Sequence, residues 1–153
     1  MPGFSLWLVP PESSRVYQAL SALIATALPS QFPAASPPEF GPHVTLTSDV
    51  FSEAFSQSQD EEQQKRDAQA WLDGLALPTG RDVKVRFEAL DVGERGTMPI
   101  SEEKKAELQT LIEKAGISID GSGELGGWEG GDVWLVPTFL EIPNWQPWVK
   151  RTL

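Results

Sequence analysis

The chain has no cysteine and one histidine in 153 residues. Without thiols, disulfides, cysteine-ligated zinc and thiol nucleophiles are excluded, while the compartment signal is neutral to mildly cytosolic. A single imidazole rules out H-x-H and H-E-x-x-H ligand pairs, and no aspartate-rich loop is present, so neither a metal nor another cofactor is expected. There is also no G-x-S-x-G elbow to pair a serine with that histidine. Basic residues are scarce, 12 against 22 acidic ones, and the net charge is −10. A field of that sign repels polyphosphate, so no polynucleotide or anionic-membrane partner is expected, whereas a small phosphate ester stays compatible with local donors. Long apolar runs are missing too. The N-terminus offers only Leu6 to Val9, with no basic flank, far short of a signal sequence or of the roughly 20 apolar residues a transmembrane helix needs.

What is present suits one domain of residues 1–153. Apolar residues make up 40% and charged residues 22%, enough to bury a core, and 13 glycines with 13 prolines predict many turns and short elements. Phe4 to Val9 read as a strand buried on both faces and stopped by Pro10-Pro11. Ser13 or Ser14 caps a helix whose apolar positions Val16, Tyr17, Leu20, Leu23, Ile24 and Ala27 recur at helical spacing up to Pro29. Prolines 29, 33, 37, 38 and 42 make the next stretch an extended loop, and 43–47 alternate as a strand. Residues 52–70 are the most polar part, a solvated helix or flexible insertion in which Ser58 and Glu61 form a capping box. Val83, Val85 and Phe87 predict a half-buried strand, and Ser101 opens an amphipathic helix through Leu108, Leu111, Ile112 and Ala115, ended by Gly116. Ile117 and Ile119 open a short strand, Val133 to Pro137 form the last, and the tryptophan-bearing tail has no regular pattern.

Trp-Leu-Val-Pro occurs at 7–10 and again at 134–137, either as two similar buried strands or as the echo of a duplication. Gly121, Gly123 and Gly126 spell G-x-G-x-x-G, but no helix can start in the following Gly127-Trp128-Glu129-Gly130-Gly131, so a turn-rich loop is the better reading than a dinucleotide fingerprint. Trp128 in that loop is a core lid or an aromatic face for a base. The histidine is the most informative residue. Pro42 biases the chain toward extended entry, and period 2 then sets His43, Thr45 and Thr47 on one face, with Val44 and Leu46 anchoring the other. Imidazole can exchange a proton near pH 7, and hydroxyls can donate to non-bridging phosphate oxygens.

Phe4-Ser5-Leu6-Trp7-Leu8-Val9-Pro10-Pro11, Phe40-Gly41-Pro42-His43-Val44-Thr45-Leu46-Thr47-Ser48, and Gly126-Gly127-Trp128 with Val133-Trp134-Leu135-Val136-Pro137 together resemble the fungal 2′,3′-cyclic-nucleotide 3′-phosphodiesterases, which are 2H phosphoesterases. The resemblance implies an α+β fold of bilobal antiparallel sheets with flanking helices. It also implies metal-independent hydrolysis of nucleoside 2′,3′-cyclic phosphates to 2′-phosphates, an activity tied to RNA metabolism. Two H-x-[ST]-x motifs normally share that work, one histidine activating water and the other serving the leaving ribose oxygen. His43 and Thr45 match the first motif as catalytic residues, and Thr47 and Trp128 are the candidate substrate contacts. Nothing matches the second motif. The strand near 81–90 runs into the helix at 101–115 through an apparent deletion near 93–98, which leaves one lobe incomplete and a strand edge open to homodimer formation. The expectations are impaired hydrolysis of a small cyclic nucleotide phosphate, with phosphate held by Thr45, Thr47 and a protonated His43. The alternatives are a non-catalytic nucleotide-binding remnant or an interaction protein. By resemblance the location is the Golgi or the cytoplasm, although no residue carries such an address.

Overall fold

A computed structural model describes residues 3–34, 40–91 and 100–153. Strand β1 (Gly3–Val9) leads to α1 (Arg15–Ala22), where the Ser14 hydroxyl accepts from the Tyr17 amide and so caps the first turn. α1 continues as a π-helical turn, Leu23–Ala27. β2 (Val44–Phe51), α2 (Glu61–Gly74) and β3 (Lys84–Arg86) follow, then α3 (Glu102–Lys114), β4 (Gly127–Glu129), β5 (Asp132–Val136) and β6 (Val149–Thr152). Two antiparallel sheets result, one ordered β2-β1-β5-β6 and one of β3 with β4. With three helices this is the expected α+β architecture.

β1 lies inside the large sheet and is buried on both faces, as its unbroken apolar run requires. Phe4, Leu6 and Leu8 join Val133, Leu135, Leu72 and Trp128 in the main core. Trp7 and Val9 point the other way and pack with Trp134 and Val136. The two Trp-Leu-Val-Pro copies are neighbours, paired antiparallel with Trp7 directly opposite Trp134.

Four local expectations are corrected. The polar stretch at 52–70 contains a docked helix: α2 buries Ala68 and Leu72 completely, and the Arg151 guanidinium on β6 donates to the Leu72 and Leu75 carbonyls at its C-terminal end. Its cap is Asp60, which accepts from the Gln63 amide; Ser58 lies two residues earlier and accepts from the Asp60 amide. Ile117 and Ile119 form no strand, because Gly116 at φ +92° turns the chain and Ile117 enters the core from a loop. The tail does hold a strand, β6. Its sequence, Val-Lys-Arg-Thr, has little apolar signal, and pairing with β5 determines its conformation.

β2 departs from strict alternation. From Leu8 opposite Val44 to Gly3 opposite Phe51, β2 takes seven steps against five in β1, with register shifts between Phe4 and Leu6 and between Leu6 and Trp7. These are bulges, and each re-aims the strand. Val44 and Leu46, expected to anchor β2, are 39% and 49% exposed, because β2 is an edge strand and Leu46 is the residue left unpaired between Thr45 and Thr47.

Candidate functional site

Phe40, Gly41 and buried Pro42 deliver the chain to the start of β2. There the His43 ring lies flat on Trp7, with centroids 3.6 Å apart and planes within 7°. Phe40 packs against both rings, 5.4 Å from His43 and 6.4 Å from Trp7, and Trp145 closes on Trp7 edge-on at 6.0 Å. Trp7 is almost fully buried, so the imidazole rests on a platform that cannot tilt without disturbing the sheet.

His43 Nδ1 lies 2.7 Å from the Gly41 carbonyl oxygen. A carbonyl only accepts, so Nδ1 carries a proton and donates it. Burial lowers the His43 pKa below its ordinary value, with the Gly41 carbonyl pulling weakly the other way. At pH 7 the ring is therefore neutral, and its second nitrogen, Nε2, holds a free lone pair. Without a phosphate beside it the ring thus favours the neutral form, with Nε2 able to accept a hydrogen bond or a proton.

Thr45 pairs with Trp7 and is exposed, so its hydroxyl shares the sheet face that carries Trp7. Thr47 is separated from it. The bulge sets Thr47 opposite Leu6, whose side chain enters the other face, and the Thr47 hydroxyl accepts from the Asp49 amide at 3.3 Å. Trp128 is not brought to His43 either. It is 7% exposed and packs in the main core against Phe87, so it offers a base no free face. The lid reading of Trp128 fits this position, and the substrate-contact reading does not. Sequence reasoning placed His43 and Thr45 together but missed Trp7, Phe40 and Gly41. The one available signal was the repeated Trp-Leu-Val-Pro, which marks Trp7 as special without showing what it touches. No cluster of three or more His, Cys, Asp or Glu suited to a metal occurs among the described residues.

A family profile described as "Cyclic phosphodiesterase-like protein" matches residues 1–96, which include this platform. The chain belongs to that family. Two relatives, both named 2′,3′-cyclic-nucleotide 3′-phosphodiesterase, match along the whole of both chains. The Neurospora crassa protein is 30% identical over 221 aligned positions, and the Phaeosphaeria nodorum protein is 29% identical over 205. Each alignment is far longer than this chain of 153 residues, so both relatives carry residues that have no counterpart here. No solved structure matches the chain significantly.

Proposed function

We propose that the chain binds nucleoside 2′,3′-cyclic phosphates on the Trp7–His43–Thr45 platform and opens them slowly to 2′-phosphates. The observation that carries this reading is the His43 ring, stacked on Trp7 and tied through Nδ1 to Gly41, which leaves Nε2 as a base whose neutral form burial favours. Water attacks phosphorus and gives its proton to Nε2; the P–O3′ bond breaks, and the phosphate stays on O2′. The Thr45 hydroxyl donates to a non-bridging oxygen on which charge accumulates. The departing O3′ needs a proton, and with no second histidine in the sequence it takes one from solvent. Losing one partner of an acid-base pair typically forfeits about 10² to 10⁴ in rate, which is the extent of impairment expected here.

The unusual length of the two alignments supports a deletion relative to the relatives. The junction near 93–98, where the sequence places it, lies outside the described residues. A single domain over 1–153 with one shortened lobe is part of the same reading, as is a role in RNA metabolism. The test is chromatographic: purified chain with a 2′,3′-cyclic mononucleotide should release the 2′-monophosphate slowly, and His43→Ala should abolish the release. Nucleotide binding with no turnover above the His43→Ala variant would replace hydrolysis by the binding-remnant reading. No binding would remove both.

Open strand edges support a second, weaker reading, association of two copies. β3, the edge expected from the sequence, is only three residues long, whereas β2 is an eight-residue edge carrying exposed Val44, Leu46 and Phe51. Sedimentation should then show a dimer that Leu46→Lys dissociates. A strict monomer at all concentrations would exclude it.

A further inference from the structure

Beside the aromatic platform, between α1 with its π-helical extension and the segment around Pro143, lies a recess of about 500 Å³. Its wall includes Tyr17, Ser21, Ile24, Phe40, Gly41 and Gln146. Two of these belong to the platform itself. Phe40 packs on the His43 ring, and Gly41 supplies the carbonyl that holds Nδ1. Phe40 and Gly41 thus border both the recess and the imidazole. We infer that it receives the nucleobase of a nucleotide whose phosphate lies at His43, a proposal that rests on the function given above.

The chemistry of the lining selects this occupant. Among the described residues no lysine or arginine lines the recess, and the chain carries a net charge of −10, so a second phosphate is disfavoured there. Phe40, Tyr17 and Ile24 give the recess aromatic and apolar side chains of the kind against which heteroaromatic rings pack. A base also has polar edges, and the wall provides for them. Ser21 lines the recess, and its hydroxyl is buried without a hydrogen-bond partner among the described residues. An unsatisfied buried hydroxyl is costly, and a base edge relieves it. Gln146, exposed at the rim, adds an amide that both donates and accepts. Neither group reads one base uniquely, so the recess favours nucleosides over bare ribose phosphates more than one base over another.

The experiment titrates the intact chain with adenosine 2′-monophosphate and, separately, with inorganic phosphate, and repeats both on Ala25→Phe. Ala25 is an exposed residue of the recess wall, outside the platform, and the larger side chain fills the recess. The wild type should bind the nucleotide at least tenfold more tightly than phosphate. Ala25→Phe should lose that advantage and keep its phosphate affinity. If both ligands bind wild type equally, or if Ala25→Phe binds the nucleotide as wild type does, the recess proposal is overturned while phosphate binding at His43 stands. If neither ligand binds wild type, the function itself fails and the recess with it. Should Ala25→Phe not fold, amide shifts of the wild type decide the matter. Nucleotide, but not phosphate, should move Ser21 and Ala25, and identical shift patterns with both ligands would refute the assignment.

Discussion

Replacing Thr45 by valine removes one hydroxyl and almost nothing else. Thr45 is exposed on β2, valine is equally β-branched and suits a strand, and the folded state should change by no more than about 0.5 kcal/mol. The loss falls on the ligand. A hydrogen bond to a charged oxygen is worth about 1.5 to 3 kcal/mol, which converts to roughly a 10- to 100-fold weaker affinity. Thr47→Val is the matched control, since the bulge sets Thr47 opposite Leu6 and its hydroxyl already serves the Asp49 amide. Calorimetric titration with adenosine 2′-monophosphate at pH 7, with thermal melts run alongside, should show Thr45→Val weakened by that factor and Thr47→Val within about twofold of wild type. Equal weakening in both variants would mean that the two hydroxyls act together and that the bulge does not divide them. No weakening in Thr45→Val would remove the hydroxyl from the site.

Turnover of a 2′,3′-cyclic nucleotide should fall by a further ~10² to 10⁴ in His43→Ala, equivalent to about 3 to 5 kcal/mol of barrier, as read in a long-incubation chromatographic assay. The active form of His43 is the neutral one and burial lowers its pKa, so kcat/KM should rise with pH through a midpoint below 6.5 and be level at pH 7; a profile that falls over this range would contradict the base role. The same depressed pKa makes the unfolded state the stronger proton binder. Its stability contribution is therefore complete above the unfolded value near 6.5 and declines as pH falls toward the folded pKa, which denaturant melts between pH 7 and 5 should detect in wild type more than in His43→Ala. Gly131 has φ +117°, and a Cβ there would collide with the Val9 carbonyl oxygen, so Gly131→Ala should cost about 3 kcal/mol and lower Tm by roughly 10 °C.

The elements legible in the sequence are those whose own residues impose a period. α1 and α3 carry apolar residues at helical spacing behind serine caps, and Ser14 and Ser101 do accept from Tyr17 and Lys104 amides. β1 and β5 are apolar enough to be strands in any context. β6 and the bulges of β2 are different, because a neighbouring strand determines them. Val-Lys-Arg-Thr becomes a strand by pairing with β5, and the two extra residues of β2 exist only relative to β1. The same division holds within the site. His43 stood out as the one imidazole beside hydroxyls, but the platform beneath it depends on which β1 residue the strand start meets, and no local pattern states that.

The paired Trp-Leu-Val-Pro strands bring out a difference between the two halves of the large sheet. Their antiparallel register sets a row across the sheet, from Thr45 on β2 through Trp7 and Trp134 to Lys150 on β6. The row is symmetric in its middle and asymmetric at its ends. Trp7 carries an imidazole flat on its face, whereas Trp134 carries the Lys150 ammonium, 4.6 Å from its ring centroid. That ammonium is also bound to Glu12 at 3.2 Å, and the Trp134 indole nitrogen is buried without a partner among the described residues. Equivalent backbone positions thus present a hydroxyl, Thr45, on one side and a neutralised cation, Lys150, on the other, and the imidazole comes from His43, two residues before Thr45. A sheet of this kind can position water against phosphorus, but it has no second imidazole with which to protonate the oxygen that leaves. On the proposed function, the His43 side supplies the base and the Trp134 side, which carries a paired lysine in place of an imidazole, supplies no matching acid, so slow turnover is the expected outcome.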